Sequence, residues 1–250
     1  MERRGAIFFG DFADKLSRSD DVETRWCTFV DLLNSCGADQ VNYALMSAEH
    51  RAGDQVLFRS TMCADWLSYY GEKRFDQHDP HVKILKSGHF TPYIWSEDNT
   101  DAVTDASERE VCREGNAAGM RGQIHLVLPD TLSGRRPIGG MALGSSLAPR
   151  EFFKAISGLE MALMTAGMLF HQYSYHHLRR KELGTNPLSA REAECLSLIA
   201  AGYRVDRIAD RLVLASQTVE LHLRNARAKL KSRTTPQAVA RALLTGEIVL

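Results

Sequence analysis

Aromatic side chains and the carboxylate of Asp79, all between residues 66 and 95, have the chemistry of a small-molecule pocket. Trp66 and Tyr70 are four positions apart, so they share one face of a helix, and Asp79 and Trp95 follow them. An indole N–H can only donate a hydrogen bond and a carboxylate can only accept one, so Trp66 suits a carbonyl and Asp79 suits an N–H. These residues predict a site for a mostly apolar ligand with an amide. Tryptophan and tyrosine at helical spacing are also common in an ordinary core, and this interpretation stays open.

A second candidate site is a basic helix near the C-terminus, SQTVELHLRNARAKL at residues 216–230. Its apolar residues recur at the spacing of one helix face: Val219, Leu223, Ala226 and Leu230. The other face is mainly positive, as contact with phosphates requires, and it carries Glu220, Arg224, Arg227 and Lys231. Charged faces of this kind are also typical of a solvated surface, so the pattern alone leaves both interpretations open.

If this helix enters the major groove of DNA, its N-terminal half reaches the base edges. Arg224 is then the best candidate for a bidentate contact to guanine, and Glu220 can accept from a cytosine amino group. Thr218, Asn225 and Lys229 suit phosphate contacts or a supporting role.

The charge distribution favours a nucleic-acid-binding C-terminal part. The whole chain is formally neutral, with 31 basic and 31 acidic residues. From Leu188 to the end, ten Lys and Arg stand against six Asp and Glu, a local balance of +4 that leaves −4 for the remainder. Five cysteines without a CxxC pair predict a reducing cytoplasm, and no segment approaches a membrane span.

Hydrophobic periodicity divides the chain into a mixed part and an all-helical part. Strands and flanking helices within 1–172 predict an α+β fold, an α/β/α sandwich with an antiparallel sheet. A polar linker at 173–187 precedes a domain of four short helices at 188–250, in which the short connection VLA suits a helix-turn-helix. One continuous helix is expected from Pro149 to Leu183, and its Met- and Leu-rich face is a candidate dimer interface.

Three of the four C-terminal helices carry start signals. Ser189 and Glu192 have the spacing of a capping box, in which each side chain bonds the other residue's backbone N–H. Ser216 is expected to cap the third helix. Thr235 is expected to cap the fourth, with Pro236 in the first turn, where its missing N–H is not needed.

The segments LSAREAECLSLIAAG, RIADRL, SQTVELHLRNARAKL and QAVARALLTGEI closely resemble the helix-turn-helix of the LuxR-type transcription regulators. The resemblance extends without a gap over the last part of the chain and implies DNA binding. Carried over by position, the base-reading sites fall on Glu220, Leu221 and Arg224.

This C-terminal part departs from the family pattern at three places. Arg207 stands where a glutamate is usual, and Tyr203-Arg204 replaces a lysine-threonine pair, with the expected loss of a helix cap. The pair Thr234-Thr235 stands where Asn-Arg is usual.

The spacing in WLSYYGEKRFDQHDP resembles the autoinducer-binding domain of the same regulators. By that likeness Trp66 donates to the carbonyl of a homoserine lactone and Asp79 accepts its amide N–H. Tyr70 lines the acyl tunnel, and Trp95 packs on the lactone ring. AAGMRGQIHL resembles the family's Gly-rich segment before a strand, with Gly122 in the usual place.

Two further positions of the expected site depart from the family pattern. Met62 stands where a tyrosine often donates to the amide carbonyl, and Ala142 stands where a Ser or Thr often assists. A buried carbonyl left without a donor costs about 1–3 kcal/mol.

These features predict a cytoplasmic, homodimeric transcription regulator that binds a palindromic site in double-stranded DNA. Its expected effector is an N-acyl-homoserine lactone, with no cofactor, metal or membrane partner. The alternative is a regulator that binds DNA without a lactone, or one that senses a different small molecule.

No enzymatic activity is expected, since the chain has no GxSxG, HExxH or P-loop pattern. The histidines that could serve as acid-base or metal groups lack a further ligand at suitable spacing: His78, His81, His171, His176 and His177.

Overall fold

The computed structural model describes residues 2–19, 21–45, 57–87, 91–129 and 137–249. The chain divides into two compact units, Met1–Tyr173 and Ser174–Leu250. The turn LSGRR at 132–136, expected between two strands, lies outside the described residues.

The first unit is a five-stranded sheet with helices. Its strands are β1 (Gln40–Leu45), β2 (Leu57–Ser60), β3 (Tyr93–Ser96), β4 (Gly122–Pro129) and β5 (Pro137–Ser145). Its helices are α1 (Glu2–Arg18), α2 (Val22–Ser35), α3 (Ala64–Glu72), α4 (Pro80–Ser87), α5 (Ala106–Ala117) and α6 (Pro149–Ala155), followed by the start of α7 (Glu160–Leu183). The sequence analysis did not anticipate α1.

The strand order is β2-β1-β5-β4-β3, and every neighbouring pair is antiparallel. The alternation predicted for β1 is confirmed, because Val41, Tyr43 and Leu45 are all fully buried. The ring of Tyr43 meets the edge of the Phe170 ring on α7, with 5.4 Å between centroids. The neighbouring Asn42 lines a cavity on the other face, since successive strand residues point to opposite sides. The predicted α+β fold with an antiparallel sheet is therefore confirmed.

The prediction of a single helix from Pro149 to Leu183 is wrong. The segment forms two helices, α6 and α7, whose axes differ by 82°. Gly158 lies in the break with a φ of +80°, a left-handed conformation that glycine adopts at little cost and that a continuing helix excludes. Within the described ranges, no individual helix has the length and hydrophobicity of a membrane span; only α6 and α7 taken together reach those criteria.

The second unit consists of the end of α7 and four helices. These are α8 (Ala190–Ala200), α9 (Val205–Leu212), α10 (Ser216–Lys229) and α11 (Thr235–Leu244). The predicted stripe of α10 is buried in their shared core, which includes Cys195, Leu196, Ile208, Val219, Leu223, Ala226, Leu230, Ala238 and Ala242.

The helix starts of this unit agree only in part with the expected caps. The capping box of Ser189 and Glu192 is confirmed, and α9 begins without a side-chain cap at Arg204, as expected. Helix α10 follows Ala215 with no side-chain cap, so the capping role expected of Ser216 is wrong. In α11 the cap is Thr234 and not Thr235, because the Thr234 hydroxyl accepts from the backbone N–H of Gln237.

Candidate functional site

A cavity of about 410 Å³ lies in the first unit, between the sheet and helices α3, α4 and α5. All five strands contribute to its wall, which is mostly apolar. Leu67, Leu85, Val111 and Val127 are among the lining residues. A concave apolar site of this size with few polar groups is typical of small-molecule binding.

The structure brings five of the six predicted ligand-contacting residues to this one cavity: Trp66, Tyr70, Asp79, Trp95 and Ala142. They come from α3, the segment before α4, β3 and β5, so the sheet, one helix and the start of another together position them. Trp66 is nearly buried and packs edge-on against Tyr70, with 6.0 Å between ring centroids.

Met62 is the exception among the predicted residues. It lies in the bend between β2 and α3, where its side chain packs against the cluster of Trp66, Phe75 and Val111. It is not among the residues that line the cavity. The ligand contact expected at Met62 is therefore not supported by its position.

Asp79 is held in place from two sides. Its Oδ2 atom accepts the hydroxyl of Tyr70 at 2.8 Å, and its Oδ1 atom accepts the backbone N–H of His81 at 2.7 Å and that of Val82 at 3.4 Å. The two backbone donors belong to the first turn of α4, where a carboxylate is stabilised by unpaired N–H groups. Burial and the neighbouring Asp79 raise the pKa of Tyr70, so its hydroxyl stays protonated and donates.

A group of stacked rings that the sequence did not predict forms another part of the wall. The imidazole of His125 lies nearly parallel to the imidazole of His81 and to the phenol ring of Tyr93, with centroid distances of 4.0 Å and 4.6 Å. His81 Nδ1 and the Tyr93 hydroxyl are 2.7 Å apart, and the ring of Trp95 meets His81 edge-on.

Both histidines have lowered pKa values, which favours the neutral imidazole. Burial lowers the pKa of His81, with Asp79 acting in the opposite direction, and burial together with His81 lowers the pKa of His125 well below its ordinary value. The alternation of residues along β4 in the sequence could have placed His125 on one face of the sheet. Only the pairing of β3 with β4 places His125 next to Tyr93.

Three of the candidate metal-ligating histidines occupy separate places. His81 lines the cavity, His171 is close to the Tyr43 hydroxyl, and the Nδ1 atom of His176 is 3.2 Å from the carbonyl oxygen of Leu244. In the part of the chain that the structure describes, no three His, Cys, Asp or Glu side chains gather where they could hold a metal ion.

The second candidate surface is the solvent side of α10. Glu220, Leu221, Arg224 and Asn225 are exposed, and the apolar Leu221 is 42% exposed. Thr218 and Arg227 are half-buried beside them. Among the described residues, neither Arg224 nor Glu220 has a hydrogen bond or ion pair with another side chain. Their polar groups are therefore available to a partner.

Lys229 differs from the other residues expected to meet DNA. Its Nζ atom is 2.7 Å from Glu192 Oε2, and the Glu192 side chain is only 6% exposed. Burial acts to raise the pKa of Glu192, but the hydrogen bonds from Lys229 and Ser189 outweigh it, so that pKa is lowered. Lys229 thus neutralises a buried carboxylate of α8, a contact that the sequence did not predict.

Comparisons with known proteins agree in both parts of the chain. Residues 21–174 match the family model of the autoinducer binding domain, and residues 186–242 match that of bacterial regulatory proteins of the luxR family. The transcriptional activator protein BjaR1 of Bradyrhizobium diazoefficiens is 28% identical over 76% of this chain and 74% of its own length. RpaR of Rhodopseudomonas palustris, a quorum sensing-dependent transcriptional regulator, is 26% identical over 99% of this chain and 96% of its own.

Solved structures share the fold. SdiA of Escherichia coli matches with a TM-score of 0.57 at 19% identity, over 94% of this chain and 95% of that one. SdiA in complex with octanoyl-rac-glycerol matches with a TM-score of 0.58 at 21% identity, over 95% of both chains.

Proposed function

This chain belongs to the LuxR family of bacterial regulatory proteins, and from that membership we propose that its signal is an N-acyl-homoserine lactone bound in the cavity of the first unit. The family assignment makes the protein a ligand-responsive, DNA-binding transcription regulator of the quorum-sensing type. The identity of the ligand and the residues that hold it are the parts that we propose.

The observation that carries the proposal is the complementary polarity of Trp66 and Asp79 in one apolar cavity. No hydrogen bond to the Trp66 indole is present among the described residues, so its N–H can donate to the lactone carbonyl. The Asp79 carboxylate has about four acceptor sites, and Tyr70, His81 and Val82 donate to three of them. One site is left for the amide N–H of the ligand.

Tyr70 and Trp95 complete the arrangement. Tyr70 keeps Asp79 oriented while its ring lines the cavity, and Trp95 offers an aromatic surface for the lactone ring. The apolar side chains of Leu67, Leu85 and Val127 enclose the acyl chain. Each methylene that leaves water contributes about 0.8 kcal/mol.

On DNA, we propose that α10 lies in the major groove. Glu220, Leu221 and Arg224 read base edges, and Thr218, Asn225 and Arg227 contact or support the phosphate backbone. Lys229 is left out, because it is engaged with Glu192.

Two copies of the chain bind a palindromic promoter site in the cytoplasm. The DNA-competent state binds the ligand more tightly than the other state does, so the ligand raises the population of the DNA-competent state. We propose the residue division predicted from the sequence: a ligand-binding and dimerisation domain at 1–172, a linker at 173–187 and a DNA-binding domain at 188–250.

Thermal unfolding of the full chain tests the ligand class. The probes are N-butanoyl-, N-octanoyl- and N-dodecanoyl-homoserine lactone, with octanoyl glycerol as a ligand that has an ester carbonyl and no N–H. A lactone should raise the melting temperature through linkage, and the shift should shrink in Trp66→Phe, which keeps a ring but loses the N–H. Trp26→Phe makes the same change away from the cavity and should keep the full shift.

If no lactone stabilises a folded, DNA-binding protein, the proposed ligand is wrong. A shift with octanoyl glycerol alone would identify a different class of acylated signal, in agreement with the complex solved for SdiA.

A further inference from the structure

His125 is part of the cavity wall. It pairs across the sheet with Ala142 on β5 and with Tyr93 on β3, so the three side chains share the face that lines the cavity. The side chain of His125 is only 7% exposed. Its Nε2 atom is completely buried and has no hydrogen-bond partner within the described residues.

A buried polar atom without a partner destabilises the protein that contains it. On a residue that lines a cavity, a polar group of a bound ligand can satisfy it. The ring of His125 is also fixed before any ligand arrives, because it lies against both His81 and Tyr93. Those two rings are joined to each other through His81 Nδ1 and the Tyr93 hydroxyl. A rigid hydrogen-bonding group loses little entropy on binding.

One polar atom of an N-acyl-homoserine lactone, the oxygen of the amide carbonyl, has no partner yet and could bind this imidazole. The proposed function gives the lactone carbonyl to Trp66 and the amide N–H to Asp79, and no residue has yet been given the amide carbonyl. Ala142, directly opposite His125, has only a methyl group. The histidine pair adjoins the carboxylate, since the backbone N–H of His81 donates to Asp79 Oδ1.

We propose that His125 binds the ligand by donating an imidazole N–H to the amide carbonyl of the acyl-homoserine lactone. This inference rests on the proposed function. It makes His125 a binding residue for any lactone with that amide, whatever substituent the acyl chain carries. A hydroxyl introduced at position 142 should be able to take over the contact, because cross-strand neighbours are close to each other.

The test is isothermal titration of the full chain with N-octanoyl- and N-(3-oxooctanoyl)-homoserine lactone. His125→Leu should bind both ligands about tenfold more weakly, which corresponds to about 1.4 kcal/mol. His125→Gln keeps an N–H donor and should lose much less. Adding Ala142→Ser to His125→Leu should recover most of the lost affinity for both ligands.

The outcomes separate this inference from the proposed function. Unchanged binding by His125→Leu, with weaker binding by Trp66→Phe, overturns the role of His125 and leaves the lactone site in place. A loss confined to the 3-oxo ligand overturns the assignment to the amide carbonyl. If His125→Leu and His125→Gln lose the same affinity and Ala142→Ser restores none of it, the proposed hydrogen bond is overturned and His125 has only a packing role. If the wild-type chain binds neither lactone, both proposals fail together.

A second measurement covers the case in which His125→Leu does not fold. In the wild-type chain labelled with 15N-histidine, adding the octanoyl lactone should shift the ring nitrogens of His125, and unchanged nitrogen shifts at saturation overturn the contact.

Discussion

The hydroxyl of Tyr70 donates to Asp79 Oδ2 at 2.8 Å, within the wall of the cavity. The two residues are on different segments, one on α3 and one just before α4, so this bond connects the segments on either side of the short helix Phe75–Gln77. The bond orients the carboxylate that is proposed to hold the ligand amide. Tyr70, which was expected only to line the acyl tunnel, therefore also makes a hydrogen bond within the site.

Tyr70→Phe should therefore weaken ligand binding without abolishing it. Asp79 keeps its two backbone donors but loses one orienting contact, so the affinity for N-octanoyl-homoserine lactone should fall about two- to tenfold. Calorimetric titration measures the change. Tyr69→Phe is the matched control, because the Tyr69 ring packs on Trp66 but is not among the residues lining the cavity. Equal effects of the two substitutions would contradict a role for the Tyr70–Asp79 bond.

Arg224→Ala should remove sequence discrimination. The exposed guanidinium is proposed to contact a base, and losing a bidentate contact costs about 1–3 kcal/mol for the correct site but little for others. Gel-shift titrations with a promoter fragment and its scrambled counterpart measure both affinities. Asn225→Ala, next to it on the exposed surface of α10, should weaken binding to both fragments by a similar factor. A uniform loss in Arg224→Ala would show that this arginine contacts phosphate only.

Lys229→Ala should destabilise the second unit and leave the DNA preference unchanged. Removing the ammonium leaves Glu192 buried without its ionic partner, and the free energy of unfolding should fall by about 1–3 kcal/mol. Urea unfolding measures this change, with the exposed Arg233→Ala as control, expected within about 0.5 kcal/mol of wild type. If Lys229→Ala keeps its stability but binds all DNA sequences more weakly, Lys229 contacts phosphate and does not stabilise Glu192.

The Lys229 effect should also depend on pH. The folded pKa of Glu192 is lowered from 4.5. Stability from its charged form is therefore present above about pH 4.5 and is lost as the pH falls through the lower, folded value. The difference between wild type and Lys229→Ala should shrink in that acidic range, provided that both remain folded enough to measure.

The buried histidines should make the first unit less stable in mild acid. Both His81 and His125 have folded pKa values below 6.5, so the unfolded chain takes up protons first as the pH falls. Stability is then complete above about pH 6.5 and declines below it. Asp79 opposes part of this effect for His81 by favouring its protonated form, and Tyr93 is the hydrogen-bond partner of that ring.

Denaturant unfolding at about pH 7.5 and about pH 5.5 tests this dependence. His125→Gln should lose less stability between the two conditions than wild type does, since glutamine does not titrate. His78→Gln changes an exposed histidine and should behave like wild type. The same loss in all three proteins would show that other groups dominate.

Local patterns predicted the second unit well. The buried stripe of α10 and the capping box of Ser189 and Glu192 depend on contacts within one turn or one helix face, which sequence spacing determines. The errors were equally local: Ala215 and Thr234 occupy the cap positions that had been assigned one residue later. Helix ends are decided by small differences in backbone conformation, and neighbouring Thr, Ser and Ala residues leave the register open.

For the first unit, the sequence predicted the fold class and five residues that line the cavity, but not the break between α6 and α7 or the stacking of the rings. The break at Gly158 requires a positive φ. A single glycine in an apolar stretch that is compatible with a helix does not by itself predict this conformation. Met62 satisfied the spacing of a ligand residue, and yet it packs against Trp66, Phe75 and Val111. Spacing alone cannot say on which side of a bend a side chain points.

By itself, the sequence determined that the chain has a helical, basic C-terminal part with a buried stripe. It also determined that Trp66 and Asp79 can donate and accept hydrogen bonds to a mostly apolar ligand with an amide. Only the tertiary structure decided that Lys229 meets Glu192 and that His81, Tyr93 and His125 form one stack. The physical reason is that these contacts join residues far apart in the chain. For the rings, the decisive quantity is the pairing register of β3, β4 and β5, which is set by the whole sheet, and a slip of one residue would turn His125 to the opposite face.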